Sequence, residues 1–302
     1  MSDLPTLEAQ GARIDLLGHP LLAQLELRTS AERLALLGDW SALFRLFAGE
    51  AELSAGRLTV AGEPVPRGVE QGKVGLMRLD PQLPEAWSAE QLLATSAELC
   101  GLPAKSAAKN AFQVLERLGL AELAPRRIAH LQLAERRAVL VAHAVLTDPV
   151  VLCLEEPLAA LDTQGELAVV AVIERASAGR RLLIAVGDPG GSAATRRLVQ
   201  SCTERFGLAA GVAVPISAET SALARVTATI CKNHQAFAAA LAARGLTAHP
   251  THEAGVLGSL TSPLAGPCWR YLVELPSEST APILDAALEA DAGLVELIPL
   301  FS

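Results

Sequence analysis

Leu131-Gln-Leu-Ala-Glu-Arg-Arg-Ala-Val-Leu-Val-Ala-His-Ala-Val-Leu-Thr-Asp-Pro-Val-Val-Leu-Cys-Leu-Glu-Glu-Pro-Leu-Ala-Ala-Leu-Asp162 reads as a helix, a turn and a strand buried on both faces. Up to Leu146 the apolar residues recur three and four apart, the helical period. Val150-Val151-Leu152-Cys153-Leu154 then runs without a polar residue between Pro149 and Glu155, as a strand does in a parallel sheet covered by helices. A helix is predicted over Gln164–Ser177 and a second such strand over Leu182–Val186; this strand, helix, strand spacing is a βαβ unit.

Outward from that unit, Ser88 to Leu146 is helical, broken at Gly101-Leu102-Pro103, Gly119 and Pro125. Residues 6 to 60 read as short strands, Thr6–Ala9, Leu22–Leu27, Glu32–Leu37 and Arg57–Val60, the last closing on Ala61-Gly62. One helix, Leu43–Ala48, interrupts them and is stopped by Gly49. Near the C-terminus the order is strand Val226–Ile230, helix Gln235–Arg244, strands Leu246–His249 and Tyr271–Leu275, helix Ala281–Ala290 and strand Leu294–Leu300. That βαββαβ order is ferredoxin-like, with Pro250–Pro267 read as a loop. The expected division is a large α/β domain over residues 1–222, with a helical subdomain at about 85–145, and a small α+β domain over 223–302.

Composition narrows the class. A chain of 302 residues holds one domain of about 200 residues and a smaller one. Apolar residues make up 51 %, but the runs are cut, as Ala138–Leu154 is by His143, Asp148 and Pro149, so no transmembrane helix is expected. The start carries no basic-then-apolar leader, and the expected location is cytoplasmic. Cys100, Cys153, Cys202, Cys231 and Cys268 are scattered and odd in number, which fits inert thiols rather than disulfides or a zinc site. A net charge of −8 argues against a nucleic-acid partner, and the pairs Arg126-Arg127, Arg136-Arg137, Arg180-Arg181 and Arg196-Arg197 read as solvated helix faces.

Residues 131–162 resemble the core of an ABC ATPase without a gap. The signature falls on Gln132, Leu133, Ala134 and Glu135 after Leu131, the Asp-Pro before the Walker B strand on Asp148-Pro149, and the D-loop on Ala160-Leu161-Asp162. With Leu36-Leu37-Gly38, Leu43–Gly49 and Ala55–Pro64, the resemblance spans roughly residues 1 to 215 and implies an ABC ATPase-like, P-loop NTPase-type α/β domain with antiparallel β and helical subdomains. The C-terminal piece is similar to the extension on ABC-export-type ATPases.

The chemistry of that resemblance has been lost at several positions. A working P-loop presents successive backbone N–H groups and a Lys to phosphate. Here Gly38 is followed only by Asp39-Trp40-Ser41-Ala42 before the helix, about four residues short of the family's loop, and Lys73, Lys105, Lys109 and Lys232 offer no substitute. Three lost charge-assisted hydrogen bonds cost about 4 to 9 kcal/mol, so micromolar ATP binding is not expected to survive, and Asp39 adds repulsion. In the signature, Leu133 and Ala134 hold phosphate away and Glu135 neutralises the helix N-terminus. The Q-loop position is Leu79, the H-loop position Gly187, and Leu16 and Leu17 occupy the region of the adenine-stacking aromatic. Glu155 and Glu156 stand where the family binds magnesium and activates water; without phosphates to share the metal they are expected to be vestigial. The resemblance further implies that Glu156→Gln would trap a working member with ATP.

Other motifs have plainer readings. Gly187-Asp188-Pro189-Gly190-Gly191-Ser192 could cradle a phosphate by position, but without a basic residue a turn is expected. His249 and His252 straddle Pro250 in a loop and read as surface histidines, and His130 and His143 as packing residues. Trp40 and Trp87 are candidates for partner anchors or core.

The resemblance therefore implies a non-hydrolysing subunit of an ABC-export-type complex on the cytoplasmic face of the inner membrane, with no catalytic residues, metal or cofactor expected. Its partners would be a membrane (permease) subunit and another nucleotide-binding subunit, as homodimer or heterodimer. The contact surfaces retained are Leu161 and Asp162 of the D-loop and Leu79, Leu83 and Trp87, expected to form an apolar patch. The alternatives are a low-activity ATPase that still takes ATP and magnesium in an unusual way, and a soluble scaffold.

Overall fold

The structure, a computed structural model, describes residues 4–209, 212–216, 224–254, 268–275 and 280–301. Strands β1 (Leu7–Leu16) and β2 (His19–Thr29) form a hairpin on Leu17-Gly18, both at positive φ, as a two-residue turn between twisted strands requires. Both run well past the expected Thr6–Ala9 and Leu22–Leu27. In β2 the outward residues Gln24, Glu26 and Arg28 alternate with buried Leu25, Leu27 and Thr29, so a reading of contiguous apolar residues stops short.

β3 (Arg33–Leu37) leads into α1 (Ser41–Phe47), which ends at Gly49 with φ 72°. β4 (Glu52–Val60) and β5 (Glu63–Pro64) follow, turning on Ala61-Gly62, and then α2 (Arg67–Glu70) and β6 (Val74–Met77). β2, β1, β4 and β5 make one antiparallel sheet in that order. Three helices come next: α3 (Ala89–Leu99), α4 (Ala104–Arg117) and α5 (Leu133–Ala144). Ser88 caps α3, its Oγ accepting from Gln91 N at 3.1 Å while the Gln91 side chain accepts from Ser88 N at 2.9 Å.

The alternation then becomes βα: β7 (Val151–Glu155), α6 (Thr163–Ser177), β8 (Arg181–Val186), α7 (Ala193–Gln200), β9 (Glu204–Ala209) and β10 (Val212–Pro215). The central sheet has the order β10-β9-β3-β8-β7-β6, parallel throughout except for β10. Alternate residues of its inner strands enter opposite cores. Leu152, Leu154, Leu182 and Ile184 pack with α3 to α7, whereas Val151, Cys153, Leu183 and Ala185 pack with α1 and the antiparallel sheet. Burial on both faces is why β7 and β8 are unbroken apolar runs. The edge strand β6 lies so close to α5 that a Cβ at Gly75 would stand 2.0 Å from the Ala144 carbonyl oxygen.

The remaining elements are β11 (Ala224–Ile230), α8 (His234–Ala243), β12 (Thr247–Ala254), β13 (Cys268–Leu275), α9 (Ala281–Glu289) and β14 (Leu294–Phe301). Their sheet has the order β12-β13-β11-β14 with every neighbouring pair antiparallel. Phe237 and Leu241 of α8 and Ile283 and Ala286 of α9 share a core with Val226, Ala228, Tyr271 and Val273. One expectation is corrected: residues 250 to 254 belong to β12 rather than a loop, because Pro250 sits in a strand that, among the described residues, is at the edge of its sheet and forms no ladder on its outer side. The rest of that expected loop, 255–267, lies outside the described residues.

Candidate functional site

Because β3, β8, β7 and β6 are parallel, their carboxyl ends converge on one edge of the sheet. Leu37 lies opposite Val186, Glu155 opposite Ala185 and Met77 opposite Leu154. The residues that follow, Gly38-Asp39, Gly187-Asp188, Glu156 and Arg78-Leu79, therefore lie along one edge of the sheet, the edge at which open parallel sheets bind their ligands.

The turn from β3 to α1 is closed on itself. Gly38, at φ 97°, donates its N–H to Val186 O at 3.0 Å. Asp39 Oδ1 accepts the N–H of Ser41, the first residue of α1, at 3.0 Å. A carboxylate thus occupies the helix end to which a phosphate would be drawn. Trp40 is only 2 % exposed, and its indole N–H donates to Leu37 O at 3.1 Å. It is a core residue, which removes it as a partner anchor.

Two glutamates end β7 in different surroundings. Glu155 is 6 % exposed, and its Oε2 accepts from Arg78 Nε at 2.6 Å and from the Leu79 N–H at 3.0 Å. Arg78 also reaches Glu50 at 2.9 Å. Glu156 adopts φ 47° and accepts the Gly187 N–H. Burial, and then the charges of Glu155, Asp39 and Asp188, push its pKa above the ordinary 4.5, against the opposing effect of the Gly187 hydrogen bond. From pH 4.5 up to the raised value the folded chain binds more protons than the unfolded one, so stability falls as pH rises through that window. Glu156→Gln keeps the acceptor and removes the charge. It is expected to raise the melting temperature at pH 8, with a gain that shrinks toward pH 5 in thermal melts across that range.

The signature positions form the start of α5. Glu135 Oε2 accepts from Gln132 N at 2.8 Å, and its other oxygen pairs with Arg126. Although burial works the other way, Arg126 and the Gln132 N–H hold the Glu135 carboxyl below its usual range. Leu133 is exposed beside it. Ala134 abuts the start of α6, where a Cβ on Gly165 would meet the Ala134 Cβ at 3.0 Å, and Asp162 Oδ1 caps that helix by accepting from Gly165 N at 2.7 Å. Leu161 is half-buried against the helical core. In the turn after β8, Asp188 Oδ1 accepts from Gly190 N at 3.1 Å and Ser192 Oγ caps α7 through Thr195 N at 3.0 Å, so these donors are already used.

Between β6 and α5 runs a groove of about 400 Å3 that contains Leu79 and Leu83, walled further by Ile128, Leu133 and Leu140, with Asp80, Glu85, Arg136 and Arg137 as its charged residues. Trp87 is 38 % exposed but does not line it. The structure therefore joins Leu79 and Leu83 and leaves Trp87 to one side, where its carbonyl accepts from Ile128 N at 2.8 Å.

Residues 29–159 match the family model described as ABC transporter. The zinc import ATP-binding protein ZnuC of Cereibacter sphaeroides is 38 % identical over 96 residues, 31 % of this chain and 40 % of that protein. The taurine import ATP-binding protein TauB of Pseudomonas entomophila is 36 % identical over 152 residues, 47 % of this chain and 56 % of that one. A nucleotide-free ATP-binding cassette from an ABC transporter superposes with a TM-score of 0.58 at 14 % identity, over 70 % of this chain and 90 % of that one. Residues 29–159, less than half of the chain, are thus similar to the ATP-binding domain of ABC transporters. The chain's matches span about half or less of the lengths of these two curated relatives.

Around the carboxyl edge of the central sheet, sequence reasoning missed two arginines. Arg78 was findable: with β6 and β7 paired in parallel and Met77 opposite Leu154, the next residue falls beside Glu155. Arg137 was misread as solvated, yet it is 6 % exposed, since α5 packs that face against the sheet. Arg126, paired with Glu135, and Arg180, paired with Asp148, are engaged as well. His143 is held against Ser96 Oγ at 3.0 Å, burial lowering its pKa, whereas His130 and His249 are exposed; His130 is thus not the packing residue expected. The His252 side chain lies outside the described residues. Among the described residues, no helix is long and apolar enough to cross a membrane and no cluster of ligands could hold a metal ion.

Proposed function

We propose that this chain is a nucleotide-binding-type subunit of a transport complex that neither holds nor hydrolyses ATP and acts by binding. One observation carries this reading: the carboxyl edge of the central sheet is occupied by the chain's own charges. Asp39 sits on the first N–H of α1, where phosphate would bind, and Arg78 sits on Glu155, where a magnesium ligand would be needed. Around them Asp39 and Asp188 act on Glu156 as like charges, and a triphosphate would add to that repulsion. These residues do not fit a magnesium–phosphate group, since magnesium requires near-octahedral oxygen ligation and the inner Glu155 oxygen is committed to a guanidinium.

The surfaces for partners remain. At the D-loop position Asp162 caps α6, and the Leu79–Leu83 groove stays open. A membrane subunit seated on that groove, and a second nucleotide-binding subunit, are the proposed partners, on the cytoplasmic face of a membrane. Residues 224–301, with the sheet order β12-β13-β11-β14 and two covering helices, are proposed as a ferredoxin-like domain. The named relatives include importers and exporters, such as a macrolide export protein and a Nod factor export protein, so no direction of transport is assigned.

Glu156→Gln on a sizing column tests the reading. The variant is expected to elute at one volume with and without millimolar magnesium-ATP, because a general base matters only where a nucleophile and a phosphate are held against it. A nucleotide-dependent dimer would overturn the proposal.

A further inference from the structure

Among the described residues, Arg137 is a buried charge that no ion pair meets directly. It projects from α5 into the Leu79–Leu83 groove and is 6 % exposed, yet its buried Nε has no hydrogen-bond partner, and no ion pair reaches it among the described residues. The carboxylates of Asp80, Glu155 and Glu156 act on it only through space. Two of these are already engaged, Glu155 by Arg78 and the Leu79 N–H, and Glu156 by the Gly187 N–H. Asp80 is exposed at the rim. The neighbouring Arg136 is tied back to carbonyl oxygens, of Leu131 at 3.1 Å and Ala129 at 3.4 Å, and so cannot be the freer of the two.

Burying a guanidinium whose planar fork is unmet is costly, and the group that meets it in two parallel hydrogen bonds is a carboxylate. The groove around it takes its apolar wall from Leu79, Pro81, Leu83, Ile128, Leu133 and Leu140, with Asp80, Gln82, Glu85 and Arg136 as its other polar residues. We propose that the groove receives an amphipathic segment of a partner protein bearing one carboxylate among apolar residues, and that Arg137 takes that carboxylate. This rests on the docking reading above and adds to it the chemistry of the partner.

A display library of random helix-length peptides, panned on the full chain, supplies the probe. Enriched peptides are expected to carry Asp or Glu with apolar residues three or four positions away. Exchange of that acid for its amide in the peptide, or Arg137→Gln in the chain, should weaken binding at least about tenfold, and the two changes together no more than either alone. Because the first change is made in the peptide, the result does not depend on how a variant folds. Leu83→Asp should remove binding altogether. Peptides lost with Leu83→Asp but indifferent to both the acid exchange and Arg137→Gln would overturn the carboxylate assignment and leave the docking groove standing. If no enriched peptide responds to Leu83→Asp, the groove itself is not a docking site and the assignment falls with it.

Discussion

Arg78→Met is expected to destabilise the chain by about 3–5 kcal/mol, the range for removing one member of a buried ion pair and leaving the other without its partner. Arg78 and Glu155 have side chains only 20 % and 8 % exposed, so solvent screening offsets little of the loss. The guanidinium also ties the end of β7 to Glu50, just beyond α1, so the substitution frees two carboxylates at once. On thermal unfolding this corresponds to a fall of ~10 °C in the transition of the domain that holds the central sheet. The double variant Arg78→Met/Glu155→Leu should recover most of the loss, because an apolar pair of similar volume needs no counter-charge. Magnesium should not rescue the single variant if Glu155 is a structural acid. A cost below about 1 kcal/mol, or recovery on adding magnesium, would mean that Glu155 is still a metal ligand and that Arg78 is incidental.

Much of the fold was legible because burial on both faces of a parallel sheet leaves a strong local mark. β7 and β8 are such strands, and the Pro149 and Glu155 boundaries lie within a residue of the observed ones. The hairpin β1–β2 was less legible, since its solvent face carries Gln24, Glu26 and Arg28 and only the alternation marks the strand. The helix cap at Glu135 follows the Gln-x-x-Glu spacing, so its blocking of the α5 N-terminus could be foreseen from residue type.

Pairings between distant segments were harder. Arg78 and Glu155 are 77 positions apart, and nothing local to either predicts the contact until the β6–β7 register is known. Asp39 could be recognised as an unwelcome charge in a phosphate turn, but its hydrogen bond to Ser41 N depends on how tightly the shortened turn closes. Arg137 failed for a different reason. A charge on a helix is solvated by default, and only the packing of α5 against the sheet reverses that expectation.

The titration of magnesium-ATP into the purified chain, followed by calorimetry, tests the central claim most directly. A micromolar site has a binding free energy of about −8 kcal/mol. Losing three charge-assisted hydrogen bonds removes about 4 to 9 kcal/mol of it, leaving a dissociation constant of about 1 mM at the tightest. Asp39 on the α1 N–H, together with Glu156 and Asp188 nearby, weakens it further, since a triphosphate must approach three carboxylates with no lysine in the turn. The expected result is no saturable heat up to millimolar nucleotide, with or without magnesium, and the same for ADP. A saturable isotherm with a dissociation constant below about 1 mM would contradict it, and the chain would then have to be regarded as a working nucleotide binder.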